Sequence, residues 1–439
     1  MSEAIPSPHD EATPLLDPKG QSKLRSILTL GGIGAVNLLA NMAYSTLDPF
    51  FPQEAAKKKG GSADLEVGLI YGTFAAVIVV LAPLLGARVA TIGPKFMLCA
   101  GVFLIGGSTF LFGFVAAIDS WTSFLVVCFL ARAVQGCGTA AANTASWTIV
   151  ATEFPDKMST IFGVLETFTG LGFMIGPPLG GALYAARGFS LPFFVVGGNL
   201  LLCVAGLILT LPNTTRLTTQ QQRRRRDDDD PSAWKLLKNI WMWMTLIALA
   251  LAPGCLCMIE ATLAAFLESA YQMKPATIGL LFLLCCAVYI ISAPIVGRVA
   301  DKWGTKRVII CGLFTAGLGD FLLAPSSLLA FLPEKQMWRL LLSSVIIAIG
   351  LAMTAVPTFS DMVQSSHRMG FEESIVLNGV VSGLWTSFYS IGEAVGPSIG
   401  GLITGKTDFR HSTTVFALTL AAHGCIYLIL ALCFRSRLK

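Results

Sequence analysis

Five carboxylates stand inside long apolar stretches of this chain: Asp48, Glu166, Glu260, Asp320 and Glu393. An ionised group in hydrocarbon is costly, so such residues are more often kept for function than for packing. Burial penalises the charged form of a carboxyl group, which therefore needs a proton or a cation to neutralise it. Exchanging one for the other is the elementary step of an antiporter. Against these acids stands one clearly intramembrane cation, Arg132, a single turn before Gln135. A cavity lined by this set is net negative and selects cations. An anion or sugar carrier would instead want clusters of Arg and Lys or of Asn and Gln, which these stretches lack. Only His423 lies mid-stretch, so carboxylates must carry most of any proton coupling. Tyr44, Phe168, Trp385 and Tyr389 fall at comparable depths, and ammonium groups bind aromatic faces. Ion pairing with Arg132 is the alternative role for the glutamates, and ordinary packing is the alternative for the rings. Asp48 lies near the outer end of its stretch, and Asp320 lies in the middle of its own.

Such residues must be held by membrane helices. The chain has 439 residues, 54% of them hydrophobic and 13% charged, where soluble domains carry about a quarter charged residues. A helix needs about 20 residues to cross the hydrocarbon. Twelve stretches qualify: 28–52, 65–90, 96–117, 122–150, 158–186, 189–211, 240–268, 277–299, 306–332, 338–362, 374–404 and 412–434. Most of the 31 Lys and Arg residues fall on the side of the two termini, which predicts that both termini are cytosolic. The net charge of +5 follows from that bias and implies no nucleic-acid partner. Cys255/Cys257 and Cys285/Cys286 lack neighbouring His and read as small packing residues, so no metal is expected. No nucleophile–base pair or phosphate loop is present, which argues against an enzyme.

The chain also repeats itself. GRVADKWGTKR (297–307) echoes GARVATIGPKF (86–96), and SIGEAVGPSIGG (390–401) echoes GLGFMIGPPLGG (170–181). These pairs divide the chain into a tail 1–27, a six-helix half 28–211, a linker 212–238 containing RRRRDDDD, a second half 239–434 and a tail 435–439. The predicted fold is an all-α membrane protein of two parallel six-helix repeats, with a binding site between the halves near the midplane. In the loop phrase Gly297 permits a tight turn, while Arg298, Lys306 and Arg307 hold the membrane surface. Asp301 can accept hydrogen bonds from a helix N-terminus. Ala90 replaces that Asp in the first copy, so gating charge rests more on the second half. Glu153 and Asp361, at neighbouring helix ends, are candidate partners. Gly172 and Gly176, with Gly396 opposite, form ridges for close helix approach, and Pro177 and Pro397 interrupt the hydrogen-bond ladder.

GRVADKWGTKR, ARAVQGCGTA (131–140) and GPPLGG resemble the loop, fourth-helix and fifth-helix signatures of the major facilitator superfamily. Within it, LLANMAYSTLDPFFP and MIEATLAAFL resemble the vesicular amine transporters, with Glu260 at the family's seventh-helix glutamate. Ala40, Ala352 and Trp385 stand where the monoamine and acetylcholine members carry acids. LETFTGLGFMIGPPLGG, VPTFSDM, HRMGFEES and PFFPQEA look instead like the vesicular polyamine branch. The resemblance implies a proton-coupled antiporter moving organic cations such as spermidine and spermine from cytosol into acidic vesicles by alternating access. It also ties Arg132 to proton coupling. Cofactors are not expected beyond the proton gradient, and a monomer is expected. Glu11, Leu15 and Leu16 fit the acidic dileucine pattern read by clathrin adaptors. A broad drug/proton antiporter at the plasma membrane, a monoamine transporter and a non-transporting receptor or scaffold remain open at this point.

Overall fold

The computed structural model describes residues 18–47, 49–61, 63–211, 231–324 and 336–434, and among them every regular element is helical. Hydrocarbon leaves the backbone no water to bond with, so each segment must satisfy its own N–H and C=O groups, as a helix does. The first half contains α1 (Pro18–Ser45), a short α2 (Phe51–Lys59), α3 (Asp64–Ile92), α4 (Pro94–Phe112), α5 (Trp121–Glu153), α6 (Met158–Arg187) and α7 (Ser190–Thr210). One turn, α8 (Ala233–Leu236), leads into the second half. There follow α9 (Ile240–Tyr271), α10 (Pro275–Trp303), α11 (Thr305–Leu323), α12 (Met337–Ala355), α13 (Thr358–Arg368), α14 (Ile375–Lys406) and α15 (Phe409–Cys433).

Eleven segments among the described residues are long and apolar enough to cross a membrane, α12 and α13 counting as one. α11 occupies the remaining position; its 19 residues include Lys306, Arg307 and Asp320. The duplication reappears as packing. α1 lies on α6 as α9 lies on α14, and α4 lies on α5 and α7 as α11 lies on α12 and α15. Leu202 and Leu209 are 73% and 85% exposed, as lipid-facing side chains should be.

Two boundaries differ from the sequence expectation. The first crossing ends at Ser45, not at 52, and Phe51 starts the separate helix α2. Pro52 sits comfortably in the first turn of α2. The tenth crossing breaks between Ala355 and Thr358, where Pro357 has no N–H to continue the ladder. The expected end of the ninth crossing, at 332, lies outside the described residues. Pro177 and Pro397 sit within helices that continue past them.

The two halves meet along α3–α14, α6–α10 and α5–α14. The first two seams depend on missing side chains. A Cβ on Gly86 would run into the Gly379 carbonyl, one on Gly163 into that of Ala293, and one on Gly297 into that of Ser159. Inside the halves the ridges work alike. Gly172 and Gly176 press on Leu38 and Ser45 of α1, while Gly392 and Gly396 press on Ala250 and Gly254 of α9.

Candidate cation-binding cavity

At the end of the bundle that carries the two loop phrases, Asp301 reaches across the seam to the first turn of α6. Its carboxylate accepts the backbone N–H of Ser159 at 3.2 Å and of Thr160 at 2.9 Å, together with the Thr160 hydroxyl. α6 needs this, because Lys157 at its N-cap position provides no side-chain cap. The repeat-related helix α14 does not: the Ser374 hydroxyl accepts the Leu377 N–H at 3.1 Å. Ala90 in the first loop therefore leaves no helix end uncapped. Gly86 keeps the close approach without the carboxylate.

Asp361 is fully buried on α13. Lys306 Nζ lies 2.8 Å from its Oδ2, the Thr245 hydroxyl donates to Oδ2 at 2.6 Å and the Thr305 hydroxyl to Oδ1 at 2.7 Å. Tyr427 donates to it at 3.2 Å, and Lys306 sits 4.9 Å from the Trp241 ring centroid. A buried pair is tolerable only with this degree of hydrogen bonding. Glu153 is half-buried at the end of α5, while Arg298 and Arg307 are exposed.

Above these contacts a cavity of about 720 Å³, its open mouth included, lies between the halves. α1 contributes Asn37, Ala40, Asn41 and Tyr44; α3 Phe74 and Ile78; α5 Gln135, Thr139, Asn143 and Trp147. α6 adds Glu166, Thr169 and Phe173, and α14 adds Trp385, Thr386, Tyr389, Ser390 and Glu393. Two carboxylates thus face one space from opposite halves. The Tyr289 hydroxyl, on α10, donates to Glu166 Oε2 at 3.0 Å, and the Ser390 hydroxyl donates to Glu393 at 3.5 Å. Glu393 also lies within electrostatic reach of Glu166 and Glu260. Trp385 stacks on Tyr389 at 5.0 Å and meets Trp147 and Phe162 edge-on. Phe162 stacks in turn on Trp147 at 3.9 Å and on Phe359 at 5.5 Å. This aromatic cluster draws on α5, α6, α13 and α14. It closes the cavity floor toward the loop-phrase end.

Several sequence-selected residues stand elsewhere. Arg132 is 1% exposed and does not line the cavity. Its Nη1 donates to Gln135 Oε1 at 2.7 Å, and its guanidinium carbon lies 4.8 Å from the Tyr71 ring and 5.5 Å from those of Tyr44 and Phe74. Phe168 turns away from the cavity to fill the space left by Gly34 on α1. Glu260 is exposed on α9, outside the lining. Asp320 is buried in the second half, where it accepts from the Cys255 thiol at 2.8 Å. His423 Nε2 lies 2.9 Å from the Met244 carbonyl, also away from the cavity. Asp48, Glu11, Leu15 and Leu16 lie outside the described residues. Sequence reading missed Tyr289, Asn37, Asn41 and Trp147. Nothing in spacing alone separates a cavity-facing Tyr or Trp from a packed one.

Outside the membrane-spanning segments, Glu54 on α2 ties that helix to α6. Partial burial works against its charge, yet hydrogen bonds from Lys57 and Tyr184 and the Lys57 and Lys58 charges outweigh it. Its carboxyl is held below the usual carboxylate range.

Comparison with known proteins agrees with this architecture. The family profile described as Major Facilitator Superfamily matches residues 33–371 and 261–438. MFS-type transporter SLC18B1 from Homo sapiens is 33% identical over 422 residues, spanning 95% of this chain and 89% of the relative. The synaptic vesicular amine transporter of Homo sapiens is 23% identical, over 83% of this chain and 67% of that protein. Among solved structures, the human organic anion transporter MFSD10 (TETRAN) superposes with a TM-score of 0.72 at 17% identity, covering 91% of this chain and 99% of its own.

Proposed function

The chain belongs to the major facilitator superfamily, in the group holding SLC18B1 and the vesicular amine and acetylcholine transporters, and we propose that it exchanges protons for organic cations, polyamines foremost, across the membrane of an acidic vesicle. It is a multi-pass membrane transporter and not an enzyme. The observation that carries the reading is the pairing of Glu166 with Glu393 across a cavity walled by Tyr44, Phe74, Trp147, Phe173, Trp385 and Tyr389. Carboxylates neutralise an ammonium group, and aromatic faces hold its alkyl shoulders.

Substrate choice is supported by where the acids are. Ala40 and Trp385, two of the positions at which this chain departs from the acids of monoamine and acetylcholine carriers, both line the cavity. Its own lining carboxylates, Glu166 and Glu393, come from α6 and α14 in opposite halves. Two carboxylates facing one cavity from opposite halves suit a polyvalent cation better than a single ammonium group. The loop-phrase end would face the cytosol, so that the contacts of Asp301 with α6 close the cytosolic side.

Purified protein in liposomes with an acidic lumen tests this. Labelled spermidine should accumulate only while the pH gradient stands. Accumulation of serotonin or a drug cation in its place would retain proton exchange and reject the polyamine assignment. Silence for every cation would reject the transport reading.

A further inference from the structure

We propose that Tyr289 is a coupling residue that makes closure of the loop-phrase end depend on the charge of Glu166. The inference rests on the reading of Glu166 as a cation- and proton-binding group. Its observations are separate.

The α6–α10 seam runs from the loop phrase to the cavity floor. At its lower end Asp301 caps α6. Midway, Gly297 sits against Ser159 and Gly163 against Ala293, with backbone in contact. Near the top, the Thr167 hydroxyl donates to the Ile290 carbonyl at 3.1 Å. At the level of the cavity, Tyr289 of one half donates to the 3%-exposed Glu166 of the other at 3.0 Å. Glu166 therefore belongs both to the cavity and to the seam that shuts it. Among the described residues, the other titratable groups facing it are Glu393 and Tyr389 from α14 and Tyr44 from α1 across the cavity; Glu260 of α9 acts on Glu393 from outside the lining, and Arg132 of α5 lies behind Tyr44.

A phenol bonds an ionised carboxylate much more strongly than a neutral one. An ionised Glu166 thus holds α10 against α6 and favours the closed seam. A proton arriving from the open side converts Glu166 to a weak acceptor and loosens the upper end of the seam. The halves then separate at the loop-phrase end, where a cytosolic cation displaces the proton. The order of events is the one antiport requires: release of the seam follows proton capture.

The test places spin labels at Asp156 and Lys302, both exposed and on opposite sides of the seam, in protein whose exposed cysteines are replaced. The distance distribution is recorded against pH without substrate. Wild type should move toward the separated population as pH falls. Tyr289→Phe should already show that population at neutral pH, shifted by about tenfold in equilibrium constant, and should lose the pH response. Glu166→Gln should behave alike. Thr167→Val removes a hydrogen bond of the same seam that does not titrate, and should keep the response. A Tyr289→Phe protein with the wild-type pH response would overturn the proposal, as would a wild type with none. In either case gradient-driven uptake that is lost in Glu166→Gln would leave the cation/proton reading standing, whereas uptake unaffected by Glu166→Gln would reject that reading by itself.

Discussion

Asp301 and Thr160 meet across the two halves of the molecule, carboxylate to backbone N–H at 2.9 Å. The contact supplies a helix cap that α6 cannot provide for itself. Replacing Asp301 with Ala should weaken the closed state and lower transport, while Asn, which still offers an oxygen acceptor, should retain part of it. Ser374→Ala removes the corresponding cap of α14 and should cost about 0.5–2 kcal/mol. Thermal unfolding in detergent, read beside uptake, separates the two effects.

The Lys306–Asp361 pair predicts an asymmetry. Asp361→Ala leaves a largely buried ammonium group facing Trp241 and Tyr427, and should destabilise by about 3–5 kcal/mol. The double substitution Lys306→Met/Asp361→Leu removes both charges and should be less costly than either single change. A double change that cost the sum of the two singles would show that the charges do not act as a pair.

Glycine substitutions should sort by which surfaces they separate. Gly396 faces the Gly254 backbone inside the second half, so Gly396→Ala should cost stability, about 1–3 kcal/mol. Gly163 faces the Ala293 backbone across the halves, so Gly163→Ala should obstruct closure and transport while leaving each half folded. Gly181 has open space around it, and Gly181→Ala should change neither. Melting temperature and uptake measured on the three proteins decide the matter.

Glu54 provides a pH control. Because its folded pKa is depressed, the tie to Tyr184 and Lys57 is present above the unfolded carboxylate value of about 4.3 and is lost only as pH falls through the lower folded value. Mildly acidic conditions leave it intact. Glu54→Gln should therefore weaken the α2–α6 contact at every working pH and leave the pH profile of transport unmoved. A displaced profile would place Glu54 in the proton path.

Much of the scaffold was legible from the chain. Apolar length gives the crossings, and the doubled phrases give the two halves. Helix breaks after Ser45 and at Pro357 were less so, because an apolar run continues past each and hydropathy does not register a missing N–H. For the site, depth in an apolar run picked out Glu166 and Glu393, which share the cavity, but also Glu260, which is exposed on α9 outside the lining. Depth fixes height in the membrane and not direction around the helix. Direction depends on which helices pack together, so Phe168 could not be told from Tyr389. Tyr289 became visible only when α10 was laid against α6.

The central claim is that cavity carboxylates exchange protons for cations, and its most direct measurement is proton release during cation entry. Liposomes with an acidic interior and a trapped pH-sensitive dye should alkalinise when spermidine is added outside. That response should be lost in Glu166→Gln and in Glu393→Gln protein. Spermidine entry with no accompanying loss of internal protons would contradict the account.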